Sequence, residues 1–329
     1  MGKTTSSVAR TIVKSLYHKI DNVIERCSRV SYLTARTYYH KHLQRADNRY
    51  KKPPLLIYQM GKVGSKTVTH SLYKAKIGRH IYHVHFLTPK LVTKYENKRK
   101  KYLGTTNEGS LKHIWQYQHL QKKLAKDTKG EKWKVVTLVR DPVARNLATF
   151  FENIEVLTSE LDTQWRLKSS EYDFEISIDK NNFQPLIDIF FEKCRHDTPL
   201  IYFDREFKPH FNIDVFDTPF PVANGYEVYQ NDKVDILLIR LEDLNNCAEK
   251  AINKLLSIDN IKIIQQNIGD QKDYAELYAK FKGTIRLPDS YLDKMYKSKF
   301  AQHFYTENEI KQFRKKWEID SGFKNRDKV

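Results

Sequence analysis

The sequence predicts an α/β fold, on three observations. Short, continuous apolar runs alternate with segments of helical period, as when strands of a buried, mainly parallel sheet are joined by helices. One run, Leu55 to Tyr58, breaks into a loop holding Gly61, Lys62, Gly64 and Ser65, and then into a helical pattern. Another, Trp133 to Val139, passes at once into Arg140-Asp141-Pro142. Proline suits the first turn of a helix, where its missing N–H costs nothing.

Residues 1–52 stand apart from this alternation. Ile12, Val13, Leu16, Ile20, Val23 and Ile24 recur at helical spacing, interleaved with Arg10, Lys14, Lys19 and Arg26. A basic amphipathic helix of this kind either packs on its own domain or lies on a membrane or a partner. Lys51-Lys52-Pro53-Pro54 closes the extension, and residues 53–329 form the α/β domain. Its expected elements are strand 55–58, helix 66–76 with Val68, Leu72 and Ala75 on one face, strand 81–86 and a helix near 110–126. Strand 134–139, helix 143–156, strand 235–241 and helix 243–256 follow. Residues 157–232 are polar, aromatic and proline-dotted, and read as an insertion on the acceptor side of a pocket. The final fifty residues read as helical, with Tyr291, Leu292, Met295, Tyr296 and Phe300 on one face.

Composition narrows the setting. Hydrophobic residues make up 40% of the 329, enough for a substantial core. The formal charge is +18, from 58 Lys and Arg against 40 Asp and Glu, with the basic residues spread along the chain. That excess fits a sulfonated nucleotide, a polyanionic glycan, a membrane surface or nucleic acid, and does not choose among them. Cys27, Cys194 and Cys247 are scattered without metal-ligand spacing, which argues for a reducing compartment. There is no run of about 18 apolar residues and no signal-peptide core. A cytoplasmic location is expected, with room for peripheral membrane contact through residues 1–50.

The first loop is an anion site by construction. Unpaired backbone N–H groups and the positive end of a helix dipole converge where a strand runs through a glycine loop into a helix. Lys62 adds a full charge, and Ser65 and Thr67 add hydroxyl donors. The nucleoside-triphosphate loop requires two glycines that this segment lacks: aligned on Lys66-Thr67, it has Met60 and Ser65 in their places. Arg140, at a strand's end, and Arg145, on the next helix, suit a second phosphate of the same ligand, because guanidinium forks bind phosphate bidentately.

Lys62-x-Gly64-Ser65-x-Thr67 resembles the 5′-phosphosulfate loop of sulfotransferases, which use 3′-phosphoadenosine 5′-phosphosulfate (PAPS). Arg140-Asp141-Pro142, Arg145 and Phe150 resemble the 3′-phosphate motif of that superfamily, except that Ala148 stands where a serine is usual. Thr149 could replace that hydroxyl only if the helix register shifts. Leu241-Glu242-Asp243-Leu244 is similar to a strand-end motif of these enzymes, and Asn267 to Tyr274 to their late nucleotide loop, from which Lys272 is carried over. With Trp165-Arg166 and His303-Phe304-Tyr305-Thr306, the chain is similar over residues 53–318 to a bacterial sulfotransferase-like family associated with capsular polysaccharide synthesis. The resemblance implies a P-loop-like three-layer fold, with a central mainly parallel sheet flanked by helices. It also implies PAPS as co-substrate, a glycan or other hydroxyl acceptor, and no metal. On this reading Lys62, Gly64, Ser65, Lys66, Thr67, Arg140, Arg145 and Lys272 bind the donor.

Sulfuryl transfer needs a base for the acceptor hydroxyl and cations for the departing phosphate. Lys62 has the position for the second task. His83 and His85 are two apart on a strand and so share a face, as a catalytic His-x-His pair does in some uronosyl sulfotransferases. His85, nearer the strand end, leads His83 as the expected base, and Glu152 is the alternative. His113 and His119 are read as packing or acceptor contacts on a helix. Two rival classes remain open: a P-loop kinase, whose Mg²⁺ the acidic residues ending at Asp243 could hold, and a basic nucleic-acid-binding protein without catalysis.

Overall fold

A computed structural model describes residues 32–100, 109–126, 131–154, 157, 183–265 and 274–318. The chain order is α1 (Tyr32–Asn48), β1 (Leu55–Tyr58), α2 (Ser65–Ala75), β2 (Ile81–Val84), α3 (Pro89–Lys100), α4 (Gly109–Leu124), β3 (Trp133–Val139) and α5 (Pro142–Glu152). Then come α6 (Gln184–Lys193), α7 (Thr198–Tyr202), α8 (Lys208–Phe211), β4 (Tyr226–Gln230), β5 (Val234–Arg240) and α9 (Leu244–Leu256). The last helices are α10 (Ala275–Thr284), α11 (Asp289–Tyr296), α12 (Lys299–Phe304) and α13 (Glu307–Lys315). Two compact units result, one from residues 1–53 with 86–131, the other from 54–85 with 132–329.

In the helical unit, α1 packs on α4. Ala35, Leu111 and Trp115 are buried together, with Tyr32 and Tyr39 against them. The indole of Trp115 donates to the Tyr32 hydroxyl at 3.0 Å, and that hydroxyl donates to Glu96 on α3. At the far end of α1, buried Asp47 accepts from His119 Nε2 at 3.0 Å and Lys123 Nζ at 2.7 Å. His119 is therefore a structural partner of Asp47. The amphipathic pattern predicted for residues 12–26 lies outside the described residues.

The α/β unit is built on a five-stranded, mostly parallel sheet of order β2-β1-β3-β5-β4, with only β4 antiparallel to its neighbour β5. Ile57 pairs with His83 on one side and Val136 on the other, and Val139 pairs with Arg240. Every residue of β1 and β5 is buried, so β1 and the centre of β5, Ile236 to Ile239, read as unbroken apolar runs, with buried Asp235 and Arg240 flanking the latter. The chain leaves β1 first toward β2 and later returns to β3 on the opposite side. The crevice beyond the carboxyl ends of β1 and β3 is thus a topological switch point, where open α/β sheets bind ligands.

Three expectations change. Strand β2 ends at Val84 rather than at residue 86. Residues 157–232 are not simply an insertion, because their end supplies β4, the sheet's antiparallel edge. Its Tyr-Glu-Val-Tyr-Gln alternates as an edge strand does and carries little apolar signal. The described residues of 86–131 group with residues 32–53 rather than with the α/β unit: periodicity shows that α4 has an apolar face, not which helix covers it. Among the described residues no helix is long and apolar enough to cross a membrane.

Two devices hold the site's supports. Phe150 and Phe151 of α5 are buried with Phe190, Phe281, Leu292 and Met295, which fixes the helix that carries Arg145. Arg240, at the end of β5, donates to Glu309 at 2.8 and 3.1 Å and to the Phe304 carbonyl at 3.0 Å, tying α13 to the sheet. Glu309 also closes a capping box with Thr306 at the start of α13.

Candidate active site

The loop between β1 and α2 takes its shape from two left-handed residues, Lys62 (φ 71°) and Gly64 (φ 88°). Gly64 immediately precedes α2, and a Cβ there would stand 2.4 Å from Leu241 Cδ1, so both conformation and space call for glycine. Lys62 tolerates this conformation at a cost, which is common where a loop is shaped for binding. Ser65 and Thr67 lie buried on the first turn of α2, while Lys66 is exposed.

Both arginines of the second motif reach this loop. Arg140 Nη1 donates to the Lys62 carbonyl at 3.1 Å, and Arg145 Nε donates to the Gly61 carbonyl at 3.1 Å. Arg145 Nη1 donates to Asn146 Oδ1 at 3.0 Å, and Nη2 has no partner among the described residues. Each guanidinium therefore spends one edge on shaping the loop, a role the sequence reading did not assign.

Arg145 is only 6% exposed, and no carboxylate pairs with it among the described residues. Burial pulls its pKa down to about 10, so it still carries its charge at neutral pH. Cys194 nearby is no counter-charge, because burial pushes its thiol up to about 11. A buried cation without an anion costs several kcal/mol, on the order of a lost ion pair. Asp141 does not serve it: that carboxylate caps α5 through the Val143 N–H at 3.0 Å and accepts from Tyr296 at 3.1 Å. The backbone N–H of Asp141 donates to Glu242, whose other oxygen accepts from Tyr305, so the Glu-Asp-Leu segment joins the ends of β3 and β5.

Lys62 Nζ forms an ion pair with Glu152 Oε2 at 2.6 Å, and the Tyr274 hydroxyl donates to the same oxygen at 2.8 Å. The alternative base is thus the counter-ion of the expected catalytic lysine. Thr149 is no substitute for the missing serine: its hydroxyl donates to the Arg145 carbonyl at 2.9 Å, one helical turn back. The half-exposed Ala148 leaves that place without a hydroxyl.

His83 and His85 come together as their spacing predicts, with ring centres 4.8 Å apart and planes nearly perpendicular. Gln59, which the sequence reading passed over, organises both. Its carbonyl lies 3.0 Å from His85 Nδ1 and its side-chain nitrogen 3.5 Å from His83 Nε2. A carbonyl only accepts, so His85 Nδ1 carries the hydrogen and Nε2 of the neutral ring carries the lone pair. The Tyr202 hydroxyl donates to the His85 carbonyl at 3.2 Å. Behind these groups the fully buried Glu206 accepts from Tyr58 at 2.8 Å and from Arg205 Nε at 3.0 Å. Glu206 sits on a π-helical turn, Phe203–Phe207, a geometry that recurs at functional sites. The one signal for it was Asp204-Arg205-Glu206 interrupting an aromatic run.

The structure therefore brings Lys62, Gly64, Ser65, Thr67, Arg140 and Arg145 to one loop and sets His83 and His85 beside its first residue. Lys272, with the rest of residues 267–273 of the late loop and Trp165-Arg166, lies outside the described residues, whereas Tyr274 at the end of that loop meets Glu152.

A family model described as "Putative capsular polysaccharide synthesis protein" matches residues 174–306. The match includes Arg205, Glu206, β4, β5 and Glu242, and not the loop between β1 and α2, His83, His85, Arg140 or Arg145. Neither the search of curated proteins nor that of solved structures returned a match.

Proposed function

We propose that this chain is a sulfotransferase that moves the sulfuryl group of PAPS to a hydroxyl of a glycan, within a P-loop-like three-layer fold. The observation that carries the reading is Arg145, a buried guanidinium lacking a carboxylate partner among the described residues and bonded to the anion loop itself. Such a group is expected to complete its coordination with an anionic ligand. The switch-point crevice between β1 and β3 supports the same placement. The family description supports a glycan acceptor of the polysaccharide class.

In this reading the loop amides, Ser65 and Thr67 hold the 5′-phosphosulfate, and Arg140 and Arg145 hold the 3′-phosphate. His85 Nε2 takes the acceptor's hydroxyl proton as the oxygen–sulfur bond to the acceptor forms. The bond from sulfur to the bridging oxygen breaks, and Lys62 meets the charge arriving on the departing phosphate. Lys62 leaves Glu152 to do so. The kinase alternative is weakened by Asp243, whose carboxylate is engaged by Arg240 at 2.5 Å.

Thermal shift with 3′-phosphoadenosine 5′-phosphate, ATP with Mg²⁺, and oligonucleotides separates the three classes. The proposal requires stabilisation by the bisphosphate without added metal. Transfer of labelled sulfate from PAPS to a polysaccharide extract then tests the activity. Lys62→Ala should lower turnover ~10²–10³-fold, the usual loss for one electrostatic donor, with the unfolding midpoint kept. More than a tenth of the activity surviving would remove Lys62 from this role.

A further inference from the structure

The surplus charge of the chain is not spread over the fold. The stretches 1–53 and 86–131, which make up the helical unit, hold 23 Lys and Arg against 7 Asp and Glu. The stretches of the α/β unit, more than twice as long, hold 35 against 33. Nearly all of the net +18 thus belongs to a unit containing neither the loop between β1 and α2 nor His83 and His85.

Within that unit α1 has two faces. Ala35, Leu43 and Asp47 are buried, and Asp47, the sole acid in residues 32–53, is engaged by His119 and Lys123. The opposite face is exposed at every turn, through Leu33, Thr37, Tyr38, Lys41, Gln44, Arg45 and Asn48, and the chain continues through exposed Tyr50, Lys51 and Lys52. It carries no acid. Leu33 is 68% exposed, Tyr38 46% and Tyr50 41%, so large apolar side chains border the basic ones.

We infer that the exposed face of α1, with residues 50–52, docks on an anionic lipid surface. Basic side chains alone would suit any polyanion. A glycan or nucleic acid, however, offers no apolar phase to an exposed leucine, whereas the headgroup–acyl boundary of a bilayer takes leucine and tyrosine together with lysine and arginine. The length agrees: 17 residues of helix lie along the surface for about 25 Å. This surface is independent of the donor reading, since none of its residues belongs to the proposed donor site.

Flotation of the full chain with vesicles tests it, using phosphatidylcholine alone and phosphatidylcholine mixed with phosphatidylglycerol, at low and high salt. Wild type should partition onto the anionic vesicles and not the zwitterionic ones. Each basic residue near such a surface contributes about a fivefold factor, so combined Lys41→Gln, Arg45→Gln, Lys51→Gln and Lys52→Gln should cut partitioning ~10²–10³-fold. Paired Leu33→Ser and Tyr38→Ser should cut it about tenfold and make the remainder fully salt-sensitive. Unchanged unfolding midpoints in both variants, expected for exposed substitutions, show that the fold is intact. Equal binding to both vesicle types, or full binding by the fourfold variant, overturns the inference. So does preferential binding of heparin or duplex DNA over the anionic vesicles, which would assign the face to a soluble polyanion.

Discussion

The two units treat charge in opposite ways. In the helical unit Lys41 and Arg45 of α1, with Lys51 and Lys52 after it, are exposed, and the one acid among them is turned inward. In the α/β unit the charges nearly cancel, and those at the candidate site are buried or half-buried and bonded to named partners. On the readings proposed above, net charge marks the docking face, while burial and pairing mark the site of chemistry. Arg145 and Arg240 make the distinction within one unit. Both are almost fully buried, yet Asp243 and Glu309 raise the pKa of Arg240, whereas burial lowers that of Arg145. One arginine is a completed structural joint. The other has no carboxylate partner among the described residues.

The largest expected effect lies at the histidines. His85→Ala should lower turnover ~10²–10⁴-fold while leaving donor affinity near wild type, because a general base touches the acceptor proton and not the nucleotide. His83→Ala should do less, since His85 holds the tautomer with the lone pair on Nε2. Steady-state kinetics on wild type and both variants reads this out. A near-normal His85→Ala enzyme would pass the role to a carboxylate.

Next comes the pair of arginines, where the comparison can be broken directly. Arg240→Met removes one side of a buried ion-pair cluster and should cost ~3–5 kcal/mol in urea unfolding. Arg145→Met removes a buried charge lacking a carboxylate partner, so the unliganded protein should lose little stability or gain some. Its cost should appear in calorimetry instead, as about a hundredfold weaker binding of 3′-phosphoadenosine 5′-phosphate and near-normal binding of the nucleotide without the 3′-phosphate. Equal weakening of the two ligands would make Arg145 merely a brace for the loop.

Much of this was legible in the chain. Strands β1, β3 and β5 announce themselves because buried parallel strands are mostly apolar. The glycine loop after β1 and the start of α5 rest on local rules for glycine, proline and arginine. His83 and His85 meet because a strand's period is two. What stayed hidden depends on partners distant in sequence. Gln59 matters through its carbonyl, which every residue type has. Glu206 needs Tyr58 to explain its burial, and Glu152 gives no sign that Lys62 will claim it. The division into units was hidden for the same reason, since α4 shows a face without naming α1.

The smallest effect concerns Ala148. It lies one turn after Arg145 on α5, where the resembling motif has serine, and Thr149 cannot stand in because its hydroxyl is bonded to the Arg145 carbonyl. The 3′-phosphate should therefore lack one hydrogen bond, and a hydrogen bond to a charged group contributes ~1.5–3 kcal/mol. Part of that gain is lost to ordering the side chain, and water already solvates the half-exposed position. Ala148→Ser should thus tighten binding of the bisphosphate severalfold, about tenfold at most, and leave binding of the nucleotide without the 3′-phosphate unchanged. Serine costs little in helix propensity, ~0.5 kcal/mol relative to alanine, so the unliganded stability should barely move. Calorimetry with both ligands makes the measurement. Tightening that is equal for the two ligands would place the new hydroxyl away from the 3′-phosphate, and weaker binding would mean that α5 presents residue 148 in a register other than the one Arg145 sets.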